Sequence, residues 1–237
     1  QWEYPTSDNR YHLIFNGEIY NYIELRDELE KEGYQFQSSS DTEVLLVGYS
    51  HWGTAILPRL VGMFAFAIFD KYQEQLLLAR DCFGIKPLYY AQTGDRLIFA
   101  SEIKSILEFP EVKRRVNPSS LFNYLRYGMT DYSNETMFEE IVPLPAGNYL
   151  LLSMDKSLKP EPTCYWQPEP EIYKDISFSE AVAHVRELFL KNIRLHLRSD
   201  VPVGAALSGG IDSSSIVMAM REIQGSQLDL HTFSYIA

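Results

Sequence analysis

The sequence predicts a mixed α+β and α/β chain: a layered sandwich of sheets and helices, then the start of a doubly wound domain with a parallel sheet. Three observations lead to this. Several short apolar runs separated by turn residues indicate antiparallel strands in the first part, with two amphipathic helices among them. A proline-rich stretch follows, with little periodicity. Beyond it, the order strand, Ser/Gly-rich turn, helix, strand is typical of a parallel βαβ unit.

In the first part, the spacing of apolar residues and the positions of turn residues predict the individual strands and helices. The run 11–15 is typical of a strand, and Asn16-Gly17 is a turn signal that predicts its end. The charged amphipathic segment 22–31 predicts a helix stopped by Gly33, and a second helix is expected from Asp41. Residues 63–70 alternate large and small side chains, which predicts a strand buried on both faces. Further strands are expected at 75–79, 88–91 and 96–100.

The second part begins after a predicted linker. Four prolines among Lys and Glu mark the linker at 159–176, which gives domain limits of 1–158 and 177–237. Ser177 and Glu180 have the spacing of a capping box at the start of a helix. The apolar face of that helix consists of Val182, Val185, Phe189, Ile193 and Leu197. Strands are expected at 203–207 and 230–235, with a loop at 208–214 and a helix from Ser215.

Composition narrows the function classes. The chain has 237 residues, a net charge of −11 and an isoelectric point of about 4.9, so nucleic acid and anionic membranes are unlikely partners. No apolar run has membrane-spanning length, and there is no signal-peptide pattern. Two cysteines indicate neither a disulfide framework nor a zinc motif. A cytoplasmic location is therefore the expectation.

The segment Ser208-Gly209-Gly210-Ile211-Asp212-Ser213-Ser214 carries the strongest chemical signal. Between a strand and a helix, glycines let backbone N–H groups turn toward an anion, and the helix N-terminus adds partial positive charge. No lysine follows the glycines, so the segment is not the GxxxxGK[ST] phosphate loop. It resembles the SGGxDS pyrophosphate loop of enzymes that cleave ATP between its α- and β-phosphates.

Five motifs in the first part, taken in order, carry a further resemblance. They are Asn16-Gly17-Glu18-Ile19-Tyr20-Asn21, Ser40-Asp41-Thr42-Glu43, Gly62 to Ala67, Arg80 to Tyr90 and Phe99 to Lys104. Together they resemble the glutaminase domain of class II glutamine amidotransferases. With the pyrophosphate loop downstream, the chain resembles the glutamine-hydrolysing asparagine synthetases. This resemblance implies an N-terminal-nucleophile-type αββα sandwich followed by the start of an ATP-pyrophosphatase domain.

The resemblance also implies a reaction. Glutamine would be hydrolysed in the first domain, and its ammonia would attack an acyl-adenylate that the second domain makes from aspartate and ATP. AMP and pyrophosphate would leave. Asn16 and Gly17 would form the oxyanion hole, by side-chain amide and backbone N–H respectively. Glu18 and Asp41 would bind the glutamine α-amino group, and members of the family commonly form homodimers.

ATP contacts follow from the same resemblance. Asp212 would hold Mg²⁺, a hard cation that prefers carboxylate oxygen. Leu207 would contact AMP through its backbone, and Tyr235 lies near the adenine position although the family usually has a small aliphatic residue there. The pyrophosphate would accept hydrogen bonds from Ser208, Gly209, Gly210, Ser213 and Ser214.

The family's nucleophile is an N-terminal cysteine whose own α-amine acts as base. Residue 1 here is Gln1, and Cys82 and Cys164 are internal, so neither has a free α-amine. We therefore expect this chain alone to be an inactive fragment of the enzyme. One alternative is a carboxylate-adenylating cyclising ligase of the β-lactam synthetase or lasso-peptide cyclase type. Another is a non-catalytic fragment.

Simpler structural roles compete at single positions. Asn16-Gly17 alone is typical of a hairpin turn, and Asp41 after three serines is typical of a helix N-cap. Arg80 and Asp81 are expected to be a structural pair, and both cysteines to be buried or partly buried thiols.

Overall fold

A computed structural model describes residues 2–3, 10–130, 133–154, 158–170 and 175–235, apart from the side chains of Trp2, Glu3 and Gln227. The chain divides into two compact units, Gln1–Pro168 and Glu169–Ala237. The domain limits 1–158, 159–176 and 177–237 remain a prediction. The predicted linker contributes one short strand, Thr163–Cys164, to a sheet of the first unit.

The first unit holds two sheets and four α-helices among its described residues. The larger sheet has the order β1-β2-β3-β4-β8-β9, all antiparallel, and the smaller has the order β6-β5-β7. The strands are β1 Trp2–Glu3, β2 Tyr11–Ile19, β3 Gly62–Asp70, β4 Gln75–Arg80, β5 Tyr89–Thr93, β6 Arg96–Ala100, β7 Val142–Pro143, β8 Asn148–Ser153 and β9 Thr163–Cys164. The helices are α1 Tyr22–Lys31, α2 Asp41–Trp52, the 3-10 helix Gly53–Arg59, α3 Ile103–Ile106 and α4 Pro118–Tyr127.

The layers follow from the side-chain alternation of β3. Its large residues Phe64, Phe66 and Ile68 belong to one buried cluster with the apolar faces of α1 and α2. Its small residues Ala65 and Ala67 belong to a second cluster, shared with β4, β5 and β8. A third cluster joins β5 and β6 to α3. The small side chains let the two sheets approach each other, so the predicted αββα sandwich is confirmed.

One local prediction in this unit is wrong. Strand β2 does not end at Asn16-Gly17 but continues to Ile19, paired with β3 along its whole length from Tyr11↔Asp70 to Ile19↔Gly62. A nine-residue ladder outweighs the local turn preference of an Asn-Gly pair. Helices α1 and α2 begin where predicted.

The second unit contains the predicted parallel βαβ arrangement. Strands β10 (Gly204–Ala206) and β11 (His231–Phe233) pair in parallel, and α6 (Ile211–Gln224) connects them with a short 3-10 helix, Gly225–Gln227. Helix α5 (Phe178–His196) precedes them, with both hydrogen bonds of the predicted capping box present.

Two predictions for this unit need correction. Helix α6 begins at Ile211 rather than Ser215, so most of the predicted loop is its first turn. Gly210 serves as N-cap, and first-turn positions accept the Asp and Ser that disfavour a helix interior. Only the C-terminal half of the predicted α5 face is packed: Val182 and Val185 remain exposed.

No helix among the described residues is long and apolar enough to cross a membrane.

Candidate functional site

Within the part of the chain that the structure describes, β2 from Asn16 to Ile19 pairs with no strand on the side away from β3, and this open edge is the centre of the first candidate site. The backbone of Phe64 bonds to Asp81, on the β4 side of its strand, through both its carbonyl and its N–H. Phe64 is the register partner of Gly17, so that pair is of the non-hydrogen-bonded kind. The N–H of Gly17 therefore points away from β3. The N–H of Ile19 points the same way and donates to Asp41 Oδ2 at 3.0 Å.

Asp41 reaches this edge from the helix layer. It is the first residue of α2, and Ser40 is the N-cap, its Oγ accepting from the Thr42 N–H. The simpler interpretation of Asp41 as the N-cap is therefore wrong. Its Oδ1 accepts from the Ser40 and Thr42 hydroxyls at 3.4 and 3.3 Å. A carboxylate in the first turn of a helix interacts favourably with the helix dipole.

A buried carboxylate fixes the loop that leads to Asp41. Glu43 is fully buried, and its oxygens accept from the N–H of Gln37 at 2.8 Å and from the N–H and hydroxyl of Ser38, both at 2.7 Å. The sequence analysis did not predict this role of Glu43. The Ser-x-x-Glu spacing of 40–43 was a usable signal, because that pattern often ties a helix start to the chain before it.

Asn16 and Glu18 lie on the opposite face of β2 from the helices. Both side chains are exposed, and Asn16 Nδ2 donates to Ser101 Oγ at 3.2 Å.

Between Asn16 and Glu18, Gly17 has a φ of +156°, and a Cβ there would lie 2.2 Å from the Met63 carbonyl oxygen. Only glycine therefore allows β2 to approach β3 this closely at the site.

Arg80 and Asp81 organise the backbone that supports β3. The Arg80 guanidinium donates to three carbonyls, those of Gly84, Lys86 and Leu144, each at 2.8 Å. The fully buried Asp81 carboxylate accepts from the backbone N–H groups of Phe64, Phe83, Ile85 and Lys86. Their role is structural as expected, but each side chain bonds to the backbone rather than to the other.

The two cysteines differ in environment. Cys82 is half-buried, and burial raises the pKa of its thiol. Its Sγ lies 4.0 Å from the hydroxyl of Tyr165, which donates to the Arg80 carbonyl at 2.8 Å. Burial also raises the pKa of Tyr165. Cys164 is exposed, so the expectation of a buried or partly buried thiol is wrong for it.

The second candidate site is the turn between β10 and α6. Gly209 has a φ of +81°, and no side chain caps the N-terminus of α6 at Gly210. Ser208 and Ser213 are linked by their hydroxyls at 3.1 Å, and Ser213 also donates to the Gly210 carbonyl. Asp212 is exposed in the first helical turn. The turn therefore presents hydroxyls and N–H groups around a helix N-terminus, an arrangement suited to an anion.

The adjoining residues frame this turn. The Leu207 N–H donates to the Phe233 carbonyl at 2.8 Å, and its carbonyl accepts from the Ser234 hydroxyl at 2.6 Å. Tyr235 is 92% exposed beside them. No group of three or more His, Cys, Asp or Glu side chains among the described residues forms a metal cluster. A cation here would rely on Asp212 together with ligand oxygens.

Family comparisons agree with this two-part arrangement. A model described as the glutamine amidotransferase domain matches residues 4–166. This chain belongs to that family. A second model, described as asparagine synthase, matches residues 184–236, which include the turn between β10 and α6.

Curated relatives of this amidotransferase chain carry both parts. Glutamine-hydrolysing asparagine synthetases 3 and 1 of Bacillus subtilis strain 168 are 39% and 40% identical to it. These alignments cover 94% and 96% of this chain but 36% and 35% of the relatives, so the chain spans about a third of their length. A solved glutamine PRPP amidotransferase from B. subtilis, complexed with ADP and GMP, covers 98% of this chain and 47% of its own at 20% identity and a TM-score of 0.49. The predicted resemblance to asparagine synthetases is confirmed.

Within the amidotransferase unit, the predicted residues therefore meet in space. Asn16, Gly17, Glu18 and Asp41 lie around one end of β2, brought together by the β2–β3 ladder and the start of α2. In the second unit, Leu207 to Ser214 lie around one turn, with Tyr235 just beyond β11. The residues that the motif analysis did not assign are Glu43 and Ser101.

Proposed function

We propose that this chain provides the glutamine-hydrolysing site and the pyrophosphate loop of an ATP-dependent asparagine synthetase. The observation that carries the proposal is the open edge of β2. There the N–H groups of Gly17 and Ile19 point the same way, about 7 Å apart at two residues' spacing, and the Asp41 carboxylate accepts from Ile19. An extended glutamine spans that distance, with its side-chain carbonyl at Gly17 and its α-amino group at Asp41.

Each residue has a separate task in glutamine hydrolysis. Attack on the side-chain amide makes a tetrahedral oxyanion, which the Gly17 N–H and an Asn16 amide N–H would stabilise. One such donor contributes about 3–4 kcal/mol to the transition state. Asp41 and Glu18 would hold the α-ammonium group by charge-assisted hydrogen bonds. Asp41 is already oriented by the Ile19 N–H, so its side chain loses little further conformational entropy when glutamine binds.

The nucleophile must satisfy a condition that neither cysteine of this sequence meets. The chemistry needs a thiol beside a base, and in this family the base is the cysteine's own α-amine. Cys82 and Cys164 are internal, and the thiol of Cys82 is less acidic than usual because it is half-buried. The proposal therefore requires a cysteine directly after the initiating methionine of the encoded protein.

In the second unit, we propose that ATP places its phosphates at the N-terminus of α6. Backbone N–H groups of Gly209 and Gly210, with the hydroxyls of Ser208, Ser213 and Ser214, would donate to the leaving pyrophosphate. Asp212 fits a Mg²⁺ that is bound mainly by phosphate oxygens and water, because it offers one exposed carboxylate. The ion would neutralise charge on the leaving group. Both Leu207 backbone groups already bond within the unit, so a contact with AMP would use the second lone pair of its carbonyl oxygen.

The product of this half is an adenylated carboxylate, with aspartate as the proposed substrate. Ammonia from glutamine would attack it and release AMP, giving asparagine. Added ammonium salts would replace glutamine as the nitrogen donor, since the two sites perform separate chemistry. Each site can therefore be tested on its own.

The test uses the whole protein encoded by the gene that contains this sequence. Asn16→Ala should lower glutamine hydrolysis and glutamine-dependent asparagine formation by roughly 10²–10³-fold while leaving ammonia-dependent formation unchanged. Asp212→Asn should abolish pyrophosphate release with either nitrogen donor and leave glutamine hydrolysis intact. Asp229→Asn is the matched control, an exposed aspartate elsewhere in the same unit. If Asn16→Ala lowers asparagine formation equally with glutamine and with ammonia, the assignment of the glutamine site is wrong.

A further inference from the structure

The amide of Asn16 is held by a residue far away in the sequence. Its Nδ2 donates to Ser101 Oγ at 3.2 Å, across 85 positions of the chain. Among the described residues, this is the one side-chain hydrogen bond that Asn16 makes. The position of the Asn16 amide therefore depends on Ser101.

Ser101 has a fixed backbone from which to act. It follows directly on β6, whose last residue, Ala100, pairs with Tyr89 of β5. After it, Glu102 is the N-cap of α3, and Ile106 of that helix is fully buried. The hydroxyl is thus carried by a short connection between two packed elements rather than by a free loop.

An asparagine amide must be held with an N–H directed at the substrate to serve an oxyanion. Its oxygen and nitrogen ends have nearly the same size, and only the nitrogen end donates. A flipped amide would direct its carbonyl oxygen at the developing negative charge and repel it. The amide has two N–H groups, so the bond to Ser101 uses one and leaves the other for the oxyanion.

We propose that Ser101 is a positioning residue that holds the Asn16 side chain in place for glutamine hydrolysis, an inference that rests on the proposed function. The Asn16–Ser101 bond joins an exposed side chain to a half-buried one, so its net contribution to folding is small. Its loss should therefore be visible in catalysis and not in stability.

The experiment measures glutamine hydrolysis by the encoded protein and four variants: Ser101→Ala, Ser101→Thr, Asn16→Ala and the double variant of Ser101→Ala with Asn16→Ala. Ser105→Ala is the matched control, an exposed serine four residues away in α3. We expect Ser101→Ala to lower kcat about 3- to 10-fold, the range of one hydrogen bond, with KM within about twofold. Ser101→Thr keeps the hydroxyl and should retain most of the rate.

The double variant identifies the path of the effect. If Ser101 acts through Asn16, its removal should lower the rate no further once Asn16 is alanine. An equal loss from Ser101→Ala in both backgrounds would overturn the inference, as would a wild-type rate for Ser101→Ala. A wild-type rate for Asn16→Ala would instead overturn the proposed oxyanion hole. Ammonia-dependent synthesis should be unchanged in all variants, which separates this effect from misfolding.

Discussion

Replacing Gly17 by alanine tests the close approach of β2 and β3 at the glutamine site. The new Cβ would lie 2.2 Å from the Met63 carbonyl oxygen and 2.7 Å from the Phe64 Cα. Both are backbone atoms, so a side-chain rotation cannot relieve the overlap. Overpacking of this kind costs about 1–3 kcal/mol, and an unfavourable φ costs about 1–3 kcal/mol more. We therefore expect Gly17→Ala to lower the free energy of unfolding by at least about 2 kcal/mol.

The same change should damage catalysis more than stability. Relief of the overlap requires β2 to move away from β3, and the Gly17 N–H moves with it. A displacement of about 1 Å at a reacting group lowers the rate roughly 10²-fold. Glutamine hydrolysis should therefore fall at least that far in any Gly17→Ala protein that folds.

Gly94→Ala is the control for the conformational part of the cost. Gly94 has a φ of +59° in the β5–β6 turn, and nothing lies within 4 Å of a Cβ built there. Its replacement by alanine should lower the free energy of unfolding only by the strain of a left-handed backbone, about 1–2 kcal/mol. Urea unfolding followed by tryptophan fluorescence provides the assay, because Trp52 packs against the first core. If Gly17→Ala is as stable as Gly94→Ala, the close approach of β2 and β3 is refuted.

Three further predictions concern titration and thiol chemistry. Burial of Asp70 raises its pKa, but the hydrogen bonds from Arg10 and the backbone lower it more, to below its ordinary 3.8. Thermal stability should then fall with pH below about 4, and Asp70→Asn should flatten that fall. Burial raises the pKa of Tyr49 to about 12, so its contribution to stability should be lost as pH rises from 10 to 12 and Tyr49→Phe should make the decline shallower. Iodoacetamide followed by mass spectrometry should modify exposed Cys164 before half-buried Cys82; the opposite order would contradict the structure.

Sequence reasoning predicted the elements whose signals are local. Helix α2 begins at Asp41 because serine precedes it as a cap, and β3 is recognisable because its large and small side chains alternate. Sequence reasoning failed where the structure of a segment depends on partners that are distant in the sequence. The Asn16-Gly17 pair is a good turn sequence, but nine rungs of pairing to β3 keep it in a strand.

The candidate site was predictable to a similar extent. Motif resemblance pointed to Asn16, Gly17 and Asp41, which do lie around one end of β2. It could not show that the Gly17 N–H is directed away from β3, because that follows from the register between the two strands. Ser101 lies in the Phe99 to Lys104 motif, but the motif does not reveal its role, since its relation to Asn16 exists only after the second sheet has packed on the first.

The most direct test of the account is a crystal structure of the encoded protein with L-glutamine bound. The account predicts that the side-chain carbonyl oxygen of glutamine lies within hydrogen-bond distance of the Gly17 N–H and the Asn16 amide, with the α-amino group at Asp41 and Glu18. Glutamine bound elsewhere, or in the reverse orientation along β2, would contradict it.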